Sequence, residues 1–132
     1  MAQQVKTKGI VLREVHTGES DRILTILTPQ YGVISASAKS SQRLKNKLFA
    51  ATGLFCYSDF VLFEGHNMYI VDEAEAIENF FGLRASVEAM SLAMYLSELL
   101  STLAPEGEEA MAQLRLLLNS FSLISKGQKD LY

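Results

Sequence analysis

Nine consecutive residues, Lys39-Ser40-Ser41-Gln42-Arg43-Leu44-Lys45-Asn46-Lys47, hold four cations and no anion. Phosphates along a nucleic-acid strand repel one another, and a row of Lys and Arg relieves that repulsion and releases condensed counterions. Ser40, Ser41, Gln42 and Asn46 add neutral groups that can donate to phosphate oxygens. Lys6, Lys8, Arg13 and Arg22 lie upstream. By strand alternation Lys6 and Lys8 share a face and Arg13 takes the opposite one, so Lys6 and Lys8 are favoured as further contacts. Arg22 follows Asp21 and reads either as half of a turn-fixing ion pair or as a DNA contact. The expected nucleic-acid-binding set is therefore Lys39, Arg43, Lys45, Lys47, Arg22, Lys6 and Lys8. Base stacking calls for aromatics beside the basic groove. Tyr31, Phe49, Tyr57 and Tyr69 are the candidates, whereas Phe55, Phe60 and Phe63 suit the interior.

The charge around this run is divided along the chain. From Met1 to Phe63 there are eight Lys/Arg against four Asp/Glu; from Glu64 to Tyr132 there are four against eleven. A basic half beside an acidic half suggests a polyanion-binding module with a scaffold behind it. Other chemistry finds little support. There is no phosphate-cradling glycine loop and no nucleophile elbow, so an enzyme is not expected. The lone cysteine, Cys56, sits among Leu54, Phe55 and Tyr57 and reads as a small buried apolar group. One cysteine makes no intrachain disulfide and no zinc cluster. His16 and His66 read as surface residues in turns, and Asp72, Glu73, Glu75 and Glu78 as acidic strand and helix ends. No stretch reads as a membrane span or a secretory signal, and the cytosol is the expected compartment.

The elements that must position these residues change type near residue 80. Five runs before it read as strands: Val5–Val15, Ser20–Thr28, Val33–Ala38, Leu54–Phe63 and Met68–Ala76. Polar glycine-containing turns separate the first three, and Glu64-Gly65-His66-Asn67 closes a hairpin between the last two. Five short strands with a long excursion between the third and fourth suit a five-stranded barrel of the OB type. The excursion is the basic run, which allows a helical turn around Arg43–Leu48. Residues 1–80 are thus expected to form the nucleic-acid-binding domain and residues 81–132 a helical segment, an incomplete helical domain. Ser86 is the expected N-cap of a helix to about Thr102, striped by Ala89, Ala93, Leu96, Leu100 and Leu103. Met90, Met94 and Leu99 lie largely outside the stripe, which predicts burial on most sides. A second helix, with Ala110, Leu114, Leu117, Leu118, Phe121 and Ile124 on one side, is expected to end near Lys126-Gly127. Two helices bury that surface by packing on the barrel and each other, by dimerising, or because the chain is the front of a longer protein.

The segments Lys8-Gly9-Ile10-Val11-Leu12-Arg13, Gly18-Glu19-Ser20-Asp21-Arg22, Thr28-Pro29-Gln30-Tyr31-Gly32 and Ala38-Lys39 resemble the N-terminal domain of the RecO family. So do Phe81-Gly82-Leu83-Arg84 and Leu103-Ala104-Pro105-Glu106-Gly107. RecO proteins are bacterial recombination mediators. The resemblance implies an OB fold that binds single- and double-stranded DNA, anneals complementary strands and helps load recombinase. It implies the RecR ring protein and the single-strand-binding protein as partners, and a nucleoid-associated place in the bacterial cytoplasm. The family often carries a four-cysteine zinc site in its helical domain, and this chain departs from that pattern.

The leading expectation is a DNA-binding, strand-annealing accessory protein for recombinational repair, without turnover and without a cofactor. A reading of another class is a protein-interaction module, in which the apolar helices bind a partner or a second copy and DNA affinity is small. An OB domain for RNA or oligosaccharide is a third reading.

Overall fold

The structure is a computed structural model that describes residues 3–18, 21–39, 50–104 and 108–130. Alternating apolar residues with β-branched neighbours form β1 (Gln4–Thr17), β2 (Asp21–Thr28), β3 (Gly32–Ala38), β4 (Tyr57–Glu64) and β5 (Tyr69–Glu78). They close into a barrel in the order β1-β2-β3-β5-β4. All pairs are antiparallel except β3 with β5, where Ala36 faces Tyr69 and Ser37 faces Ile70. β1 is long because it serves two partners: its first half pairs with β4, Gln4 to Phe63 through Ile10 to Tyr57, and its second half with β2. The barrel interior holds Val11, Leu24, Ile26, Ile34, Ala36, Ala38, Phe60, Leu62 and Val71. A closed barrel of this kind followed by helices is the OB-type architecture expected from the strand pattern.

Leu12 is the extra residue of a β-bulge, because Val11 pairs with Ile26 while Arg13 pairs with Thr25. One inserted residue reverses the alternation downstream. Val11, Ile26 and Leu24 point inward, so Arg13 and Thr25 point outward. Lys6 and Lys8 also point outward, since their neighbours Val5 and Thr7 pair with the interior residues Leu62 and Phe60. Arg13 is therefore on the same barrel face as Lys6 and Lys8, contrary to simple alternation.

After β5, Phe80 adopts a left-handed backbone, φ 51° and ψ 49°, and leads into a 3-10 helix, Phe81–Arg84. Helix α1 (Val87–Leu103) begins at Ser86, whose hydroxyl accepts a hydrogen bond from the Ala89 N–H at 3.0 Å. Helix α2 (Met111–Asp130) continues through Gly127 to Asp130, beyond the expected stop. Its start is tied to the β2–β3 turn by the Ala110 N–H, which donates to the Pro29 carbonyl at 2.9 Å. A second core joins helices to barrel: Ile10, Leu12, Leu27 and Phe55 meet Phe80, Leu83, Ala93, Leu100, Leu114, Leu117 and Phe121. The Phe121 ring lies edge-on to both Phe55 and Phe80, with centroids 5.1 Å and 5.6 Å away. The helices pack on the barrel and on each other, yet Leu92, Met94, Tyr95, Leu99 and Leu103 remain exposed on α1.

Candidate nucleic-acid interface

The site is built at the barrel mouth where β3 ends and the chain returns at Ala50. Ala38 lies opposite Arg22 on β2, and Arg22 lies opposite His16 on β1. Lys39 is the next residue of the chain and is exposed. Arg43, Lys45 and Lys47 lie outside the described residues, as does the helical turn expected around them and Phe49.

Arg22 departs from the expectation of a DNA contact. Even-numbered residues of β2 point into the barrel, and Arg22 does so at the rim, where it is only 3% exposed. Its guanidinium makes an ion pair with Glu14 and donates to the hydroxyl and the carbonyl of Thr52, the latter at 3.2 Å. A buried guanidinium needs this answer to its charge. The effect is to clamp the returning chain at Thr52 onto β1 and β2, so Arg22 holds the rim in place and presents no charge to solvent. Ser58, also buried, ties the same segment by donating to the Ala51 carbonyl at 2.6 Å.

Lys6 and Lys8 are exposed but belong to another region. With Pro29, Gln30 and Asp59 they line a groove at the β2–β3 turn. β3 runs from that turn to Lys39, so roughly 20 Å of strand separates the two places. The outer face beside them is of mixed sign: Lys8 lies opposite Asp59 and Asp59 opposite Glu75, while Lys6 lies opposite Val61 and Val61 opposite Glu73. Opposite charges in such cross-strand rows lower the net field that a phosphate would meet. Arg13 faces a third region, a cavity of about 340 Å3 beneath α1 that it shares with Met94, Ser97 and Glu98. Among the described residues, His16 and Arg84 line one groove with Arg22, whose strand partner Ala38 precedes Lys39; Arg84 was not expected as a contact. Arg84 is exposed and its guanidinium donates to the Leu54 carbonyl at 2.8 Å. Only the packing of the 3-10 helix against the 50–54 turn brings it there, which no local pattern reveals.

The tyrosines expected to stack are partly buried. Tyr31 and Tyr69 pack on the barrel core and Tyr57 on the barrel–helix core. Burial pushes the phenols of Tyr57 and Tyr69 upward, helped by Asp59 at Tyr57 and by Glu64 and Tyr31 at Tyr69. Cys56 is buried as expected, and desolvation raises its thiol against the lowering effects of the Ser58 hydrogen bond and Arg84. A four-thiolate zinc centre does not fit this chain: Cys56 is its one cysteine, and the described residues contain no cluster of three or more His, Cys, Asp or Glu able to hold a metal. Among the described residues, no helix is long and apolar enough to cross a membrane.

Curated proteins named DNA repair protein RecO are similar to this chain over most of its length. That of Acetivibrio thermocellus is 43% identical over 126 residues, covering 96% of this chain and 50% of the relative. That of Alkaliphilus metalliredigens is 40% identical over 127 residues, 96% and 52% of the two chains. One from Dehalococcoides mccartyi is 37% identical over 115 residues, 87% and 46%. The chain spans about half the length of the curated relatives it matches. The family model described as "Recombination protein O N terminal" matches residues 1–80, which hold the whole barrel and both ends of the basic connection. On that match and those identities, the chain belongs to the RecO family.

Proposed function

We propose that this chain is the DNA-binding part of a mediator of recombinational DNA repair. It binds single- and double-stranded DNA by charge compensation at the barrel mouth, through Lys39 and the following Arg43, Lys45 and Lys47. The observation that carries the reading is membership in a family whose curated members are named DNA repair proteins, with the match falling on the barrel. Two exposed cations support it: Lys39, next to Ala38 at the end of β3, and Arg84, which lines the groove beside Arg22. Backbone contacts of this kind are blind to sequence, which suits a protein that acts wherever DNA is damaged.

Strand annealing follows physically from such binding: two repelling backbones are screened and held close, with no bond made or broken, so the chain is not an enzyme and needs no cofactor. Recombinase loading, and partnership with a RecR-type ring and the single-strand-binding protein, belong to the same reading. So does a place in the bacterial cytoplasm beside the nucleoid. The test is the triple change Arg43→Ala, Lys45→Ala and Lys47→Ala, measured by fluorescence anisotropy with labelled oligonucleotides. Loss of DNA binding with an unchanged circular dichroism melt is expected; wild-type affinity would refute the assignment.

A second reading rests on the exposed apolar side of α1, Leu92, Met94, Tyr95, Leu99 and Leu103. A protein-interaction module would use this face and would show salt-insensitive self-association with little DNA affinity. Light scattering beside the anisotropy titration separates the two.

A further inference from the structure

Phe81 is the most exposed aromatic among the described residues, at 74%. A single exposed apolar side chain is ordinary. Two features set this one apart. The first is that its backbone is pinned on both sides. Phe80 is buried with a left-handed backbone, Leu83 is fully buried, and Gly82 approaches α2 so closely that an added Cβ would lie 2.8 Å from the Ser125 Cα. The Phe81 and Phe80 N–H groups are held by the side chains of Asn79 and Glu78 at 3.2 Å and 3.1 Å. The ring is thus carried outward on a rigid mount. The second is its surroundings. Phe81 lines a largely apolar groove of about 460 Å3 with His16, Arg22, Leu54, Asn79 and Arg84, at the mouth from which Lys39 departs.

We propose that this groove receives an unstacked base of single-stranded nucleic acid, with Phe81 as the stacking platform and Arg84 on the adjoining phosphate. The inference rests on the DNA-binding reading above and deepens it by assigning a base-contacting residue. Aromatic rings beside a cationic track are how strands are held without sequence preference. Of the acids near the groove, Glu14 is paired with Arg22, while Glu78 accepts the Phe80 N–H and keeps its charge at the exposed end of β5. Arg84 has one of its five N–H donors on Leu54, which orients the guanidinium and leaves its outer edge for an anion. A duplex keeps its base faces covered, so the groove discriminates in favour of single strands.

The test uses the protein at its natural length. Phe81→Trp supplies a fluorophore, titrated with oligothymidylate and with an abasic oligomer of equal length at one salt concentration. Quenching by oligothymidylate and not by the abasic strand is expected. Phe81→Ala should weaken oligothymidylate binding about 5- to 150-fold, the span of stacking measured by alanine substitution, and leave the log–log salt slope and duplex affinity unchanged. Equal quenching by the abasic strand, or wild-type affinity of Phe81→Ala, overturns the inference and leaves the DNA-binding reading standing. Absence of DNA affinity in the wild-type protein overturns both. Indole emission from the Phe81→Trp variant that is already blue-shifted and unresponsive to any strand means that another part of the protein covers the ring, and also overturns it.

Discussion

A guanidinium removed from water is tolerated at Arg22 because Glu14, only partly exposed, and Thr52 meet it on two sides. The neighbour visible in the sequence is Asp21, one residue away, whereas the ion pair formed is with Glu14, eight residues away across a strand pair. Strand register decides such partners, and register is not written in local spacing. Removing the cation strands a partly buried carboxylate, so Arg22→Ala is expected to cost about 3 kcal/mol in urea unfolding. A midpoint unchanged from wild type would show that the clamp carries no stability. Cys56 sets an alkaline limit. Its thiol is raised above the ordinary 9.0 in the folded protein by burial. Below the unfolded thiol's pKa this makes no difference; above it, the unfolded chain ionises first. Stability should therefore fall as pH rises from about 9, and Cys56→Ala should flatten part of that fall in a thermal melt series. An identical pH profile for the variant would contradict this.

At the scale of elements, period-2 alternation locates all five strands, because each buries one side in a closed barrel. The bulge at Leu12 is not legible in this way: Ile10, Val11 and Leu12 are all apolar and all buried, so nothing local marks which one is extra. For that reason simple alternation puts Arg13 on the wrong face. The inward side of α2 is legible in the sequence: Leu114, Leu117 and Phe121 are buried, as is Ala110 just before the helix, while Leu118 and Ile124 are partly buried against the same core. In α1 the apolar circumference exceeds what the barrel and α2 can cover, so Leu103 is exposed while Ser97, donating to the Ala93 carbonyl at 2.9 Å, is buried. Phe121 is the wedge between the two layers, touching Phe55 at the barrel and Phe80 before the 3-10 helix. Phe121→Ala is expected to cost about 3–5 kcal/mol. Hydrogen exchange should show α1 and α2 losing protection before the barrel strands; uniform loss across both would contradict the layered account.

For the whole molecule, the division of charge along the chain does not become a division in space: Asp72, Glu73, Glu75 and Glu78 of the acidic half lie on β5 of the same barrel as the basic strands. Among the described residues, the cations of the basic half do not form one continuous lip: Lys6 and Lys8 sit at the β2–β3 turn among acids, Arg13 beneath α1, and Arg22 inside the rim. Among the described residues, what is left near the mouth is Lys39, one residue beyond Ala38 at the end of β3, and Arg84 from beyond the barrel. Composition points to the connection that begins at Lys39, since a run of four cations in nine residues is a local fact. It cannot say which distant cations join it, since that depends on how the sheet closes and where the 3-10 helix lands. The proposed DNA binding depends on that mouth meeting the sugar–phosphate chain by charge. The direct test is the salt dependence of single-strand affinity. With roughly four phosphate contacts, log K against log salt should fall with a slope of about −3, and whatever weak binding the Arg43, Lys45 and Lys47 triple-alanine variant retains should show less than half that slope. A slope near zero for the wild type, or the same slope in the variant, would contradict the account.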